Sequence, residues 1–257
     1  MHVITFFAPK GRAGRTLATI TAAMALVKAG KRVHVLDLTD PRMSEKVPLP
    51  GDRTGYSTGL VVWGLRMNDA GIGADKMRVE HVRGFQDFSY DLSTAEIEDA
   101  DVVLIDTPSR PTDLTLAAID RSNLAVTPAT TAMDAKLIFH SIKKHYSVSM
   151  PTMICGLATG TSGPEEDKLV KAAFSKWPSF RTVLPYSSSI PAQFHGRLLF
   201  NGPDQRGAEG AAQQAGRAFG KELLKVAGGY LPGPTLPAPE DGWDWRNLNR
   251  PNLSLWQ

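Results

Sequence analysis

The chain has 257 residues, 42% of them hydrophobic and 21% charged, with 29 Lys and Arg against 26 Asp and Glu. That length suits one α/β domain, or at most two small ones, and the apolar content excludes wholesale disorder. The one cysteine, Cys155, excludes an intramolecular disulfide framework and an all-thiolate zinc or iron–sulfur site within one chain; it reads as a small buried strand residue.

No apolar run reaches the ~18 residues of a membrane-spanning helix, so no span is expected. Met1-His2-Val3 enters a strand-like stretch without a cationic leader, and a cytoplasmic protein is expected. His2, His34, His81, His140, His145 and His195 show no ligand-like grouping, so no metal site built by the protein alone is expected. The net charge of +3 is mild but uneven. Residues 1–53 carry nine Lys and Arg against four acids, which fits either a phosphate or nucleic-acid contact or an ordinary solvated face.

Residues 3–7 form a short apolar run that predicts a buried strand. A glycine-bearing turn follows over 8–16, then an Ala- and Leu-rich helix over 16–29 stopped by Gly30. The stretch 32–38, R-V-H-V-L-D-L, is a second strand with an acid near its end. Strand, loop, helix and strand make a βαβ unit, and such units build parallel sheets. The pattern recurs with a continuous apolar strand over 101–106, D-V-V-L-I-D. A strand over 123–127 precedes a helix over 133–146, a strand over 151–157 a helix over 164–177, and a strand over 181–184 a long helix over 207–226. Two regions are less defined: 40–66 is loop-rich and turns helical near 60–67, and 77–99 reads as a strand plus a helix. The tail from 231 holds five prolines and Trp243, Trp245 and Trp256, which predicts an extended segment over 232–257: a strap on its own domain, a disordered extension or a segment that docks on a partner. The fold class is a doubly wound, mostly parallel α/β sheet, with a domain over 1–228 and a tail over 229–257.

The loop between the first strand and its helix carries the chemistry. Loop N–H groups and a helix N-terminus favour an anion, a cation at position 15 suits the β/γ-phosphates, and a hydroxyl at position 16 suits Mg²⁺. The standard phosphate-loop pattern is not met, because Pro9 stands at its first glycine and Arg15 at its lysine.

Lys10-Gly11-Arg12-Ala13-Gly14-Arg15-Thr16 resembles the deviant Walker A loop of the ParA/MinD family, K-G-G-x-G-K-[ST]. Three further segments resemble that family in order: Asp37-Leu38-Thr39-Asp40-Pro41, then Val103-Leu104-Ile105-Asp106-Thr107-Pro108, then Val126-Thr127-Pro128 leading to Met133-Asp134. The resemblance covers residues 1 to about 225 and implies a P-loop fold that binds ATP and Mg²⁺. By it, Lys10, Gly11, Arg12, Ala13, Gly14, Arg15, Thr16 and Leu17 hold the nucleotide. Lys10 reaches the partner's phosphates across an ATP-sandwiched homodimer, Thr16, Asp37 and Asp106 arrange the metal, and Asp40, one residue beyond the family's water-orienting acid, is the candidate for that role.

Three departures bear on that chemistry. Arg15 puts a planar fork where the family has a point charge. Arg12 replaces a glycine, and a large residue is easily accommodated there only if its φ stays negative. Thr39 sits where the family has its acid, with Asp40 one residue later. Phosphoryl transfer rests on positioning and charge stabilisation, so these changes should slow hydrolysis more than they weaken binding. Short members of the family without an added helix-turn-helix act in plasmid or chromosome partition and in DNA transfer, often on non-specific DNA and with a partner protein. Candidate DNA contacts are Lys143, Lys144 and His145, and a later group of Arg197, Arg206, Arg217, Lys221 and Lys225. The other reading is a degenerate scaffold of the same fold, with weak or no ATP hydrolysis, that binds DNA or protein independently of nucleotide.

Overall fold

A computed structural model of the chain describes residues 1–39, 59–71, 75–109, 112–145, 153–161, 163–174, 177–188, 190, 200 and 206–230. The strands are β1 (His2–Phe6), β2 (Val33–Asp37), β3 (Met77–His81), β4 (Val102–Asp106), β5 (Leu124–Ala129), β6 (Met153–Thr161) and β7 (Leu184–Pro185). The helices are α1 (Arg15–Lys28), α2 (Gly59–Asp69), α3 (Phe85–Ile97), α4 (Asp113–Asp120), α5 (Ala132–His145), α6 (Pro164–Ala173) and α7 (Gly207–Ala227). The seven strands form one sheet in the order β3-β2-β4-β1-β5-β6-β7, every pair parallel.

Apolar residues alternate along the strands and feed both faces of the sheet. Ile4, Phe6, Val33, Val35, Val102 and Leu104 pack with α1, with Leu60, Trp63 and Met67 of α2, and with Phe219, Leu223 and Val226 of α7. Val3, Leu36, Val103 and Ile105 face the other way, onto Phe88 and Ala95 of α3 and Ala118 of α4. Further along that second layer, Ala125, Ile154 and Ala158 meet Ile138 and Ile142 of α5 and Val170 of α6. Cys155 is fully buried, as expected of a strand residue, and burial pushes its thiol pKa well up.

The doubly wound parallel sheet is the one the sequence predicts. The helical stretch near 60–67 lies in α2 and the region 77–99 holds β3 followed by α3, while residues 40–58 lie outside the described residues. Helix α1 is shifted by one residue at each end from its predicted span. It closes in a Schellman arrangement, in which the N–H of Gly30 (φ +83°) bonds Val27 and that of Lys31 bonds Leu26. Helix α4 was not anticipated. Its signal is Thr112, whose hydroxyl oxygen accepts the Thr115 N–H (3.1 Å) and caps the first turn. Strand β6 runs four residues further than predicted. Helix α6 stops at Ala173, four residues short of the predicted end. The sixth predicted strand, 181–184, is corrected to the two-residue β7, because Glu222 of α7 accepts the N–H groups of Arg181 and Thr182 and takes them out of any ladder. Residues 232–257 lie outside the described residues.

Helix α3 carries a buried acid, Asp91. Burial raises its pKa to about 6, and the nearby charges of Glu80 and Asp87 add to the shift while Arg78 opposes it. A carboxyl whose folded pKa exceeds its unfolded value destabilises the fold as pH rises through that interval. Stability is therefore expected to fall between about pH 4 and pH 6. Asp91→Asn should remove that step and stabilise the chain at neutral pH by about 1–3 kcal/mol, read as the urea midpoint across pH.

Candidate functional site

Parallel register gathers the chemistry at the carboxyl ends of the central strands. Asp37 at the end of β2 pairs directly with Asp106 at the end of β4, and Asp106 pairs in turn with Phe6, which ends β1. The chain after β1 becomes the glycine-bearing loop and then α1. The strand order reverses about β1, and ligands of open α/β sheets bind at such a switch point.

The loop itself is tightly specified. Gly14 caps α1 with φ +77°, and a Cβ there would lie 2.9 Å from Thr159 Cγ2 of β6. No side chain caps α1 and no acid stands in its first turn, so its leading N–H groups and positive dipole end suit an anion. Arg12 is exposed and left-handed, with φ +62°. Of the two cases open at that position, Arg12 therefore takes the one that carries a backbone cost. The conformation costs about 1–2 kcal/mol for a residue with a Cβ, and such strain concentrates at ligand sites.

Asp106 has no solvent exposure, so its carboxylate depends on protein partners. Both oxygens are met by consecutive residues of α1. Arg15 Nε donates to Oδ1 (2.8 Å), with the arginine side chain only 10% exposed, and the Thr16 hydroxyl donates to Oδ2 (2.7 Å). Because Thr16 gives its proton to Asp106, its oxygen lone pairs remain suited to a cation. Asp37, also buried, accepts at Oδ1 both the backbone N–H (2.9 Å) and the hydroxyl (2.6 Å) of Thr39. Thr39 is held in turn by His81, whose Nε2 donates to the Thr39 carbonyl (2.9 Å). The residue standing where the family has an acid thus serves here as a donor that orients Asp37. Asp40 lies outside the described residues.

Lys10 forms an ion pair with Asp134 of α5. Asp134 is 3% exposed; its Oδ2 accepts the Thr130 hydroxyl (2.6 Å) and the N–H groups of Thr130 (3.3 Å) and Thr131 (3.2 Å). Its own N–H donates to the Thr131 hydroxyl (3.2 Å), a reciprocal cap of the α5 N-terminus. Burial pushes the Asp134 carboxyl up, but the bonds from Lys10 and Thr130 outweigh it and leave its pKa below the ordinary value. The T-x-x-D spacing of Thr131 to Asp134 is the sequence signal for this acid.

These elements border a cleft of about 910 Å³, lined by loop residues Arg12 to Leu17, by Asp37, Thr39 and Asp106, and across from them by Thr159, Pro185, Tyr186 and Ile190. The structure thus brings Arg12, Ala13, Gly14, Arg15, Thr16, Leu17, Asp37 and Asp106 together. Gly11 precedes them in the same loop, a Cβ there lying 3.9 Å from Ser109 Cβ. The far wall, with Tyr186 78% exposed, went unrecognised because the sequence after β7 has no periodic pattern. Of the basic candidates, Lys143, Lys144 and His145 fall in the last turn of α5. Arg206 caps α7, which carries Arg217, Lys221 and Lys225, and Arg197 lies outside the described residues. No group of three or more metal-ligating side chains occurs among the described residues.

Residues 2–154 match the family of the ATPase MipZ. No match was found among curated proteins. Among solved structures, the chain is similar to the MinC:MinD cell division protein complex of Aquifex aeolicus, at 13% identity over 92% of this chain and 100% of that one, with a TM-score of 0.59. It is similar to cobyrinic acid a,c-diamide synthase of Mycobacterium smegmatis with bound ATP analogue and magnesium, at 19% identity over 91% and 99%, TM-score 0.60. A ParA family ATPase of Chlorobium tepidum also matches, at 12% identity over 88% and 97%, TM-score 0.52. At these identities the likeness establishes the fold alone.

The Gly14 geometry is directly testable. Gly14→Ala combines a left-handed φ with the Thr159 contact and is expected to cost about 1–3 kcal/mol in urea unfolding, whereas Gly30→Ala, with nothing within 4 Å of its Cβ, should cost about 1–2 kcal/mol from its φ alone.

Proposed function

Because the chain belongs to the MipZ family of ParA/MinD-type ATPases, we propose that it binds ATP with Mg²⁺ at the loop from Lys10 to Leu17 and uses the bound nucleotide to pair with a second copy. The observation that carries this reading is the uncapped start of α1 set beside Thr16, Asp106 and Asp37 at the switch point of the sheet. A triphosphate suits the loop N–H groups and the cations Lys10 and Arg15. Thr16 would hold the metal, with Asp37 and Asp106 orienting its shell. Bound Mg²⁺ would supply neutralisation of the phosphate charge. Lys10 is the residue that changes partner, leaving Asp134 to act at the phosphates of the second copy, and Asp40 is the candidate for placing water.

On this reading the P-loop domain comprises residues 1–228 and residues 229–257 are a separate tail. The protein works in the cytoplasm in partition or transfer of DNA, alongside a partner protein. No described helix is long and apolar enough to cross a membrane. DNA is contacted without sequence preference through α7, where Arg217, Lys221 and Lys225 recur at four-residue spacing and the two lysines are exposed.

A specific observation favours a second reading of turnover. Arg15 is engaged by Asp106, and Thr39 stands in place of the acid. Hydrolysis is therefore slow, and at the limit the chain is a scaffold that keeps the fold and its DNA or protein surface without a nucleotide switch.

Calorimetry with ATP and Mg²⁺, light scattering with and without ATP, and DNA mobility shift test these readings together. The switch predicts measurable ATP affinity, a dimer with ATP and ATP-dependent DNA retardation. Absence of heat at millimolar ATP overturns it, and DNA retardation indifferent to nucleotide establishes the scaffold. The double variant Lys221→Ala, Lys225→Ala is expected to lower the slope of log affinity against log salt by about two, measured by fluorescence anisotropy on labelled duplex.

A further inference from the structure

We propose that Arg15 stands in for the divalent cation at Asp106, so that this chain holds a nucleoside triphosphate nearly as tightly without Mg²⁺ as with it. The inference rests on the nucleotide-binding reading above and concerns what sets the affinity of that same site.

Three observations carry it. Each oxygen of the fully buried Asp106 accepts one protein donor, Oδ1 from Arg15 Nε at 2.8 Å and Oδ2 from the Thr16 hydroxyl at 2.7 Å. The Arg15 side chain is itself nearly buried, so the pair is shielded from water that would weaken it. The neighbouring carboxylate, Asp37, spends one oxygen on both donors of Thr39. Magnesium keeps several of its waters and demands near-octahedral geometry, and Arg15 takes one of the Asp106 acceptor positions that such a water would use. A guanidinium against Asp106 also sets a positive charge where a dication would have to approach.

The chemistry of the side chain explains why arginine performs this and lysine does not. A guanidinium has two hydrogen-bonding edges. The Nε edge is spent on Asp106, and the edge formed by the two terminal amino groups is matched to phosphate oxygens. One arginine can therefore join the carboxylate and a phosphate at once, which is the bridging task a metal performs. A lysine ammonium is a single point donor and leaves that task to the ion.

The test is a titration of the full-length chain with a fluorescent ATP analogue, in buffer with MgCl₂ and in buffer with EDTA. For the natural chain the two affinities are expected to agree within about threefold, whereas Arg15→Lys should bind at least about tenfold more weakly in EDTA than in magnesium. Arg15→Gln serves as a second variant that keeps a planar head without the charge, and it should also become magnesium-dependent; melting curves confirm that each variant is folded. A loss of tenfold or more in EDTA by the natural chain overturns the inference while leaving nucleotide binding intact. Variants as indifferent to EDTA as the natural chain also overturn it. Failure of the natural chain to bind the analogue in either buffer overturns the nucleotide reading, and this inference with it.

Discussion

One carboxylate organises the site. Asp106 ends a strand whose neighbours on both sides are parallel and in register with it, so it cannot move without moving the sheet. Its burial makes it dependent on donors, and the two that answer are the first two residues of α1. The start of that helix is thereby tied to the centre of the sheet, and the loop before it must turn in very few residues. Gly14 makes the turn with a positive φ against Thr159, and Arg12 makes it at the cost of a left-handed backbone. The geometry of the loop follows from where one buried charge must be neutralised.

A second acid plays a comparable role on the other side of the loop. Asp134 closes the N-terminus of α5, whose leading N–H at Ala132 is taken by Glu166 of α6 (3.2 Å). The ends of α5 and α6 are therefore bound to each other and, through Lys10, to the loop after β1. The two acids divide the loop's cations between them, Arg15 to the sheet and Lys10 to the helical layer. That division is a property of the tertiary fold, because neither acid lies near its cation in sequence.

This sets how far the sequence could be read. The βαβ opening, the acid-ended strand β4 and the parallel sheet follow from apolar runs and glycine stops, which are local signals. Gly14 and Thr16 were legible from the glycine-bearing turn and the hydroxyl that opens its helix, whereas Asp37 and Asp106 were singled out through the resemblance of their acid-ended strands to the family's segments. The pairing of Lys10 with Asp134 spans more than a hundred residues and has no local trace beyond the T-x-x-D cap. Helix α4 was missed because its span is short and its cap lies in a stretch that otherwise reads as a connection. The two-residue β7 was over-read as a strand since Glu222, far along the chain, is what claims the preceding N–H groups. The bulky Arg12 obeys loop closure rather than its own backbone preference.

The crowding of donors around Asp134 has a dynamic meaning. If Lys10 swings away, Thr130 and Thr131 still supply three hydrogen bonds to the acid, so no bare charge is stranded in the interior. Detachment then disturbs neither the helix end nor the layer behind it. On the reading in which Lys10 changes partner, the contact would act as a latch whose strike plate stays fixed, an arrangement that favours reversible cycling over a single irreversible release.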